Sequence, residues 1–512
     1  MPGLRSSPPA AVDIRLPERF NAADFFVDSN IREGRGARTA FLYQGQAFSY
    51  QRVSDQVART AGALREMDLW PEQRVLLILP DSPEFAALFF GAIKAGIVPV
   101  PLHTLVGADD LRYYLEDSGA KCVFVHPMFV DRLRPALPAS AVVIDEAWER
   151  KLALAQPLLA AAPTHRDDMA FWLYTSGSTG RPKGAVHLQR DMVYSTDWYA
   201  VPVQSLTAED RIFSASKMFF AYGLGNSLYC PFRVGACSVL IPERPGPERC
   251  LEIIQQERPT LFFAVPTLYA AMLSVPEAEK RYDLSSLRLA ISAGEALPAE
   301  LYRRFRDRFG VEILDGIGST EMLHVFITNR AGEVRPGSSG HLVPGYRARI
   351  VDENDGDAQH GEIGNLWISG PSAAAFYWRK AEQTRRTMRG EWLVTGDKYR
   401  QDEDGFYWYC GRDDDMLKVG AQWVSPMEVE AALIAHPSVQ ECAVVAASDA
   451  QGLTFPRAFV VVRQGGSATA EELLASLHDT LPRFKTPREI HFVDELPKTP
   501  TGKIQRFKLR SP

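Results

Sequence analysis

Short apolar runs alternate with amphipathic stretches along most of this 512-residue chain. The runs at residues 75–79, 97–101 and 122–125 are rich in β-branched residues and have the length of buried strands. The stretches between them have helical spacing. Residues 83–95, for example, begin with Pro83 and end before Gly96, which favours a helix with defined ends. Strands that alternate with helices predict an α/β fold with helices on the faces of its sheets.

The pattern changes from Gly340 onward, where extended runs predominate and Asp404-Gly405 between two of them indicates a hairpin. A short charged run at residues 411–415 then reads as a linker, and a segment with its own helices and strands follows it. We therefore predict a large N-terminal domain, residues 1–413, of αβ-layered sheets plus a β-rich subdomain. The remaining residues, 414–512, would form a small, mobile C-terminal α+β domain.

Composition and charge exclude several classes of protein. The apolar fraction of 46% and the charged fraction of 23% are typical of a globular protein, and a length of 512 residues favours more than one domain. The net charge of −6 is spread without a basic stripe, which argues against a nucleic-acid partner. The longest apolar segment, residues 85–102, is interrupted by Lys94 and two prolines, so no membrane span is expected. The six cysteines form no Cys-x-x-Cys pair and the N-terminus has no apolar signal region, which together favour the cytoplasm.

The clearest candidate chemistry is in residues 174–184, which lie between two short apolar runs and therefore form a loop between strands. Its glycines let backbone N–H groups approach a ligand, and its hydroxyls and two cations suit a polyphosphate. The Walker order is absent because Gly184 follows Lys183, and the dinucleotide pattern is absent because the loop leads into a strand. Taken alone, the loop is also compatible with a flexible Gly/Ser surface segment.

Four further stretches place glycines or charged residues in loops: 292–296, 315–321, 395–397 and 498–503. The first two follow predicted strands, at the edge where open α/β sheets bind ligands. Each stretch alone is equally compatible with an ordinary turn or a solvated tail. Together with residues 174–184, in this order and spacing, they resemble the adenylate-forming (acyl-CoA synthetase, AMP-binding) superfamily, and the resemblance extends over about residues 20–509.

Within that superfamily the chain looks most like the benzoate-CoA ligases, on residues 219–226, 292–297 and 315–324. The resemblance implies an AMP-forming acid–thiol ligase. A small aromatic carboxylate, benzoate or a ring-substituted benzoate such as 2-aminobenzoate, would attack the α-phosphate of ATP, and coenzyme A would then accept the acyl group. ATP, Mg²⁺ and coenzyme A are the implied cofactors, with no nucleic acid and no membrane as partners. A stand-alone aryl adenylation enzyme that loads a carrier-protein thiol is the alternative.

The resemblance also implies roles for individual residues. The nucleotide-binding residues would be Thr175, Ser176, Gly177, Ser178, Thr179, Gly180, Lys183, Gly294, Glu295, Ala296, Asp315, Gly316, Ile317, Asp397 and Arg412. The catalytic residues would be Lys503, Glu321 and Thr320, with Glu321 as the metal ligand. The substrate pocket would be formed by Phe220, Ala221, Tyr222, Ala293, Gly316, Gly318, His324 and Val325. His324 is equally compatible with a packed core histidine.

The small domain would turn about a hinge at Asp414, and the coenzyme A path would involve Lys418, Gly420 and Ala421. Two positions depart from the family pattern. Ala421 stands where the family usually has glycine, so its methyl group would narrow the pantetheine path. Ile317 stands where many members have tyrosine, so an apolar contact would replace ring stacking on the adenine.

Overall fold

A nine-stranded sheet is the largest element in the computed structural model of this chain, which describes residues 11–175, 181–413, 415–419, 422–449, 453–463, 465–478, 480–498 and 504–510. Its strands, in spatial order, are His341–Leu342, Val325–Thr328, Ile313–Gly318, Leu289–Ser292, Leu261–Ala264, Arg211–Ser214, Cys237–Leu240, Thr39–Tyr43 and Gln46–Ser49. The central pairs are parallel and the pairs at both ends are antiparallel. Parallel strands place their carboxyl ends at one edge, where ligands bind in open α/β sheets.

Two smaller sheets lie beside it in the N-terminal part. Four parallel strands form the first, in the order Val98–Pro101, Arg74–Ile78, Cys122–Val125 and Ala141–Val143. Three antiparallel strands form the second, in the order Phe376–Tyr377, Lys183–Leu188 and Met169–Thr175. This second sheet brings a strand from late in the chain next to the candidate phosphate loop.

Antiparallel structure follows, as predicted from the change in pattern after Gly340. The strands Arg347–Val351, Gly364–Ser369, Trp392–Gln401, Met388–Arg389 and Tyr407–Arg412 form one sheet. The strands Trp392–Gln401 and Tyr407–Arg412 are joined through Asp404-Gly405, which confirms the predicted hairpin.

Helices of seven or more residues cover the sheets or connect their strands. They are Tyr50–Glu66, Pro83–Lys94, Ala108–Ser118, Glu146–Leu154, Pro247–Glu257, Pro266–Leu273, Ala299–Phe309, Ala381–Thr387, Pro426–Ile434 and Ala470–His478. Short helices include Asp191–Ser195 and Ala221–Leu224, which continue into the π-helical segments Thr196–Ala200 and Gly225–Tyr229. Such π-segments are frequent at functional sites. Along the described part of the chain, we find no helix long and apolar enough to cross a membrane.

The C-terminal segment contains its own strands and hydrophobic core. Leu417–Val419 pairs with Gln422–Val424, and Val439–Ser448, Thr454–Val462 and Glu489–Phe492 form a three-stranded sheet. Buried apolar side chains from residues 417–477 pack together as one cluster. The mixed α/β architecture therefore matches the predicted fold class, a large N-terminal part and a smaller α+β C-terminal part.

Candidate active site

The candidate phosphate loop lies between two strands, as predicted, and the structure shows that these strands pair antiparallel as a hairpin. Thr175 and Lys183 are directly opposite each other at the ends of the strands Met169–Thr175 and Lys183–Leu188. The residues on either side of the loop are bound to the helix Ala108–Ser118. The Tyr174 hydroxyl donates to Asp117 at 2.8 Å, and the Tyr113 hydroxyl donates to the Pro182 carbonyl at 2.5 Å. Both donors fix the position at which the loop leaves and rejoins the sheet.

Lys183, Tyr377 and Glu321 form one polar cluster at this hairpin. The Tyr377 hydroxyl donates to Glu321 Oε1 at 2.7 Å, and the Lys183 ammonium lies 4.2 Å from the centre of the Tyr377 ring. Burial lowers the pKa of Lys183, and the nearby Glu321 carboxylate partly offsets this effect. Burial beside the same carboxylate raises the pKa of Tyr377, so its hydroxyl stays protonated and able to donate. The Tyr377 side chain thus links the Lys183 ammonium to the Glu321 carboxylate, and its hydroxyl fixes the position of that carboxylate.

Backbone contacts fix the segment that carries Thr320 and Glu321. The Ala374 N–H donates to the Glu321 carbonyl at 2.6 Å, and the Leu323 N–H donates to the Thr320 carbonyl at 3.1 Å. A second donor to the Thr320 carbonyl is the imidazole of His187, whose Nε2 lies 2.8 Å from that oxygen. The segment is therefore fixed by hydrogen bonds from His187 on the hairpin, from Ala374 and from its own Leu323.

Asp397 and Arg412 face each other across adjacent strands, as a register pair. Arg412 Nη1 donates to the Asp397 carboxylate at 3.0 Å and to the Thr395 carbonyl at 3.1 Å. Gly396 between them has φ of +73°, and a Cβ atom there would lie 2.8 Å from the guanidinium of Arg412. Glycine is needed at that position for the arginine to reach the carboxylate.

The loop after the strand Leu289–Ser292 is tied to the neighbouring strand by a buried carboxylate. Asp315, which is 4% exposed, accepts the Leu297 N–H at 3.2 Å. Burial raises the pKa of Asp315 to about 7, and the Leu297 N–H offsets part of that increase. Gly294 in this loop has φ of +95°, a backbone conformation that favours glycine.

One hydrogen bond joins this loop to the C-terminal segment. The Ile504 N–H donates to Glu295 Oε1 at 3.2 Å, across 209 positions of sequence. The segment around Ile504 is itself fixed on the C-terminal part, where the Arg506 guanidinium binds the buried Glu430 carboxylate at 2.9 Å. The structure thus places the residue that follows position 503 beside the loop at residues 292–297.

Three tyrosines surround the imidazole of His324, which is 3% exposed. The ring centre of His324 lies 5.3 Å from that of Tyr199, 5.8 Å from that of Tyr222 and 6.3 Å from that of Tyr229. Nε2 of His324 lies 3.2 Å from the Asn226 side-chain oxygen. Burial lowers the pKa of His324 to about 4, so the ring is neutral near pH 7. An aromatic, uncharged environment of this kind suits a flat apolar ligand.

Close backbone contacts explain the glycines around this histidine. A Cβ atom on Gly316 would lie 2.7 Å from the Ile327 carbonyl oxygen, and one on Gly318 would lie 2.5 Å from the His324 carbonyl oxygen. Both contacts arise because the strand Ile313–Gly318 pairs with Val325–Thr328. Residues 315–318, expected in a loop, are therefore part of a strand. Elsewhere in the predicted pocket, Val325 and Ala293 are buried, while Phe220 and Ala221 begin the short helix that carries Tyr222.

A family model for AMP-binding enzymes matches residues 29–378, and a model for the AMP-binding enzyme C-terminal domain matches residues 428–503. The chain belongs to the AMP-binding enzyme family. It is 46% identical to the benzoate–CoA ligase of Thauera aromatica over 99% of this chain and 98% of the relative. Two crystal structures are also similar. A benzoate CoA ligase from Burkholderia xenovorans has 43% identity and a TM-score of 0.90, covering 96% and 100% of the two chains. The anthranilate CoA ligase AuaEII in complex with anthranoyl-AMP has 40% identity and a TM-score of 0.92, covering 96% and 97%.

Several residues predicted from the family resemblance lie outside the described part of this AMP-binding enzyme. They are Ser176, Gly177, Ser178, Thr179 and Gly180 of the loop, Asp414 at the expected hinge, Gly420 and Ala421, and Lys503. The backbone of Lys418 is described and pairs with Trp423. Among the predicted residues that the structure describes, Lys183 and Glu321 are linked through Tyr377, Asp397 pairs with Arg412, and Gly318 lies against His324.

Sequence reasoning missed three side chains that support the predicted residues: Tyr377, Asn226 and His187. Tyr377 is 56 positions from Glu321, and only the pairing of Phe376–Tyr377 with Lys183–Leu188 brings it to the site. Asn226 lies four positions after Tyr222, within the residues 219–226 that resemble the benzoate-CoA ligases, but the resemblance gives it no role of its own. His187 follows the phosphate loop by a few positions in an apolar run, where a polar residue is a signal in itself.

Proposed function

We propose that this chain is an AMP-forming aryl-CoA ligase, which converts benzoate or a ring-substituted benzoate to its coenzyme A thioester. The observation that carries the proposal is the buried, neutral His324 among three tyrosines, three positions after Glu321. A flat aromatic ring held there would present its carboxylate to the nucleotide near Lys183 and Glu321. The similarity to relatives named as benzoate and anthranilate CoA ligases supports the same class of substrate.

The nucleotide would bind across three loops. Thr175 to Lys183 would hold the β- and γ-phosphates with backbone N–H groups, hydroxyls and one ammonium. Asp397, with Arg412 beside it at 3.0 Å, would accept the ribose hydroxyls. Residues 294–296 and 315–317 would border the adenine, with Ile317 as an apolar contact.

The residues present fit a magnesium ion bound mainly through phosphates. No cluster of three or more His, Cys, Asp or Glu side chains occurs among the described residues. Mg²⁺ at phosphate sites is typically held by one or two carboxylates together with phosphate oxygens and water, and Glu321 supplies one carboxylate. When bound, the ion would neutralise charge that develops on the phosphates.

The chemistry requires two displacements. A carboxylate oxygen of the aryl acid forms a bond to the α-phosphorus, and pyrophosphate leaves with the electron pair of the broken P–O bond. The sulfur of coenzyme A then bonds to the acyl carbon, its proton is lost to solvent, and AMP leaves. The first displacement accumulates negative charge, which Lys183, Thr320 and Lys503 would stabilise.

Lys503 would act from the small domain, which we propose begins near Asp414. The hydrogen bond from Ile504 to Glu295 supports this role, because it brings the adjacent residue to the nucleotide loop. After adenylation, rotation about Asp414 would withdraw Lys503 and bring the segment of Lys418, Gly420 and Ala421 to the acyl-AMP.

A panel of aromatic and aliphatic carboxylates, assayed for AMP release with and without coenzyme A, tests the proposal. We expect AMP release with benzoate-type acids, strongly accelerated by coenzyme A. Acceleration by a carrier protein but not by coenzyme A would contradict the ligase function. No acceleration by any aryl acid would contradict the pocket assignment. The cytoplasmic location stays a prediction, which cell fractionation tests.

A further inference from the structure

A buried histidine on the hairpin contacts the Thr320–Glu321 peptide and has no role in the proposed chemistry. His187 lies on the strand Lys183–Leu188 and is fully buried. Its Nε2 is 2.8 Å from the Thr320 carbonyl oxygen, and its Nδ1 is 2.9 Å from Asp191 Oδ2. The ring also stacks on Phe171, with 5.2 Å between the ring centres.

The two contacts determine which nitrogens of the imidazole carry a hydrogen. A carbonyl oxygen only accepts hydrogen bonds, so Nε2 must carry a hydrogen to bind Thr320. Asp191 Oδ2 also accepts the Leu188 N–H at 2.9 Å, which orients the carboxylate toward the ring. A carboxylate accepts from Nδ1 while Nε2 donates to Thr320, so the two contacts together need a hydrogen on each ring nitrogen, a form that the negative charge of Asp191 stabilises.

The strand carrying His187 reaches the Thr320–Glu321 segment at a second point. Lys183 is on the same face of this strand as His187, because side chains four positions apart in a strand point the same way. Lys183 contacts the ring of Tyr377, and Tyr377 donates to Glu321. His187 thus fixes the backbone of the Thr320–Glu321 segment, and Tyr377 fixes the Glu321 carboxylate of the same segment.

We propose that His187, oriented by Asp191, is a positioning residue for adenylation. Its Nε2–H holds the Thr320 carbonyl and so sets the distance between the Glu321 carboxylate and Lys183. The inference rests on the proposed function, because it assumes that Lys183 and Glu321 act on the same polyphosphate. It differs from a packing role, which the stacked ring alone would fulfil.

Two amide variants separate these roles. Glutamine at position 187 places its NH₂ where Nε2 is and keeps the donor to Thr320. Asparagine places its NH₂ where Nδ1 is and keeps only the contact with Asp191. The Thr320 carbonyl still accepts from the Leu323 N–H in both variants, so no carbonyl is left unpaired and the difference reports on orientation.

The measurement is single-turnover formation of aryl-AMP by the full chain, at a series of Mg²⁺ concentrations, with melting temperature recorded for each variant. We expect His187→Asn to lower the adenylation rate about 10-fold or more and to raise the Mg²⁺ concentration for half-maximal rate. We expect His187→Gln to stay within about 3-fold of the wild type, because it keeps the donor. The KM for the aryl acid should change little in either. Equal rates for the two variants, or losses that follow only melting temperature, would overturn the proposal.

Asp191→Asn gives an independent test if the asparagine variant at position 187 fails to fold. Its oxygen would accept from Leu188 and from Nδ1 of His187, which leaves a neutral ring without a hydrogen on Nε2. We expect a rate loss similar to that of His187→Asn, and an unchanged rate would overturn the proposal. A wild-type chain that forms no aryl-AMP would instead refute the proposed function, so the two failures are distinguishable.

Discussion

Replacing Glu295 by alanine would remove the acceptor that joins the nucleotide loop to the C-terminal segment. In the structure, Glu295 Oε1 accepts the Ile504 N–H at 3.2 Å. Ile504 follows the proposed catalytic lysine, Lys503, directly in sequence. If the contact fixes the small domain for adenylation, its loss should slow the first half-reaction and leave the second unaffected, because the second uses a different domain orientation.

The size of the effect follows from the hydrogen bond. A bond to a charged acceptor contributes about 1.5 to 3 kcal/mol, and partial exposure of Glu295 favours the lower end. At 1.36 kcal/mol for each tenfold change, a loss of about 1.5 to 2 kcal/mol lowers the adenylation rate about 10- to 30-fold. Glu295→Gln keeps an acceptor oxygen and should lose less.

The two half-reactions can be assayed separately. Adenylation is followed as single-turnover formation of benzoyl-AMP without coenzyme A, and thioester formation is followed from supplied benzoyl-AMP. We expect Glu295→Ala to slow the first by the stated factor and to leave the second within about 2-fold. Glu403→Ala, on an exposed turn away from this contact, is the control and should change neither rate.

A different result would refute the reasoning. If Glu295 acts chiefly on the nucleotide, its loss should raise the KM for ATP and also impair the reaction of supplied benzoyl-AMP, because both ligands carry the adenosine. Equal loss in both half-reactions would therefore contradict a role in domain orientation.

Three further predictions concern the polar cluster, the aryl pocket and the buried carboxylate. Tyr377→Phe removes the hydroxyl that donates to Glu321 at 2.7 Å, and we expect adenylation about 5- to 30-fold slower with a higher Mg²⁺ requirement; an unchanged requirement would count against the cluster. Gly225→Ala would put a methyl group 2.3 Å from Cδ2 of His324, against a normal contact of about 3.5 Å. The ring must move by about 1 Å, so the KM for benzoate should rise about 10-fold and the free energy of unfolding should fall by about 1 to 3 kcal/mol; an unchanged KM would contradict the pocket. Burial raises the pKa of Asp315 from 3.8 to about 7. The protonated carboxyl therefore contributes up to about 4 kcal/mol to the free energy of unfolding; this contribution is full below about pH 4 and is lost as pH rises through about 7. The melting temperature of Asp315→Asn relative to the wild type should therefore increase from pH 5 to pH 8, and a constant difference would refute the assignment.

Local pattern predicted the elements that carry the site, because their strands are continuous apolar runs. The hairpin at Asp404-Gly405 is present as predicted, and the residues expected as a loop between two strands at 174–184 join strands that pair antiparallel and extend to Thr175 and from Lys183. The strand Ile313–Gly318 is longer than expected, since glycines normally weaken a strand. Here Gly316 and Gly318 allow the neighbouring backbone to approach closely, and that close approach is a tertiary property.

Contacts between distant segments could not be derived from the sequence. Tyr377 reaches Glu321 across 56 positions, and Ile504 reaches Glu295 across 209. The sequence left His324 as either a pocket residue or a packed core histidine, and the structure gives a buried, hydrogen-bonded ring that also faces Tyr222. Residue type alone cannot decide between such roles, because both require a buried and partnered imidazole.

The fate of the carboxylate oxygens tests the proposed reaction most directly. With benzoate labelled by ¹⁸O in both carboxylate oxygens, attack on the α-phosphate leaves one labelled oxygen on AMP once the thioester forms. We predict AMP with one ¹⁸O, benzoyl-CoA with one ¹⁸O and unlabelled pyrophosphate, read by mass spectrometry. Label in pyrophosphate or inorganic phosphate, or formation of ADP in place of AMP, would contradict adenylation and with it the account of Lys183, Glu321 and Lys503.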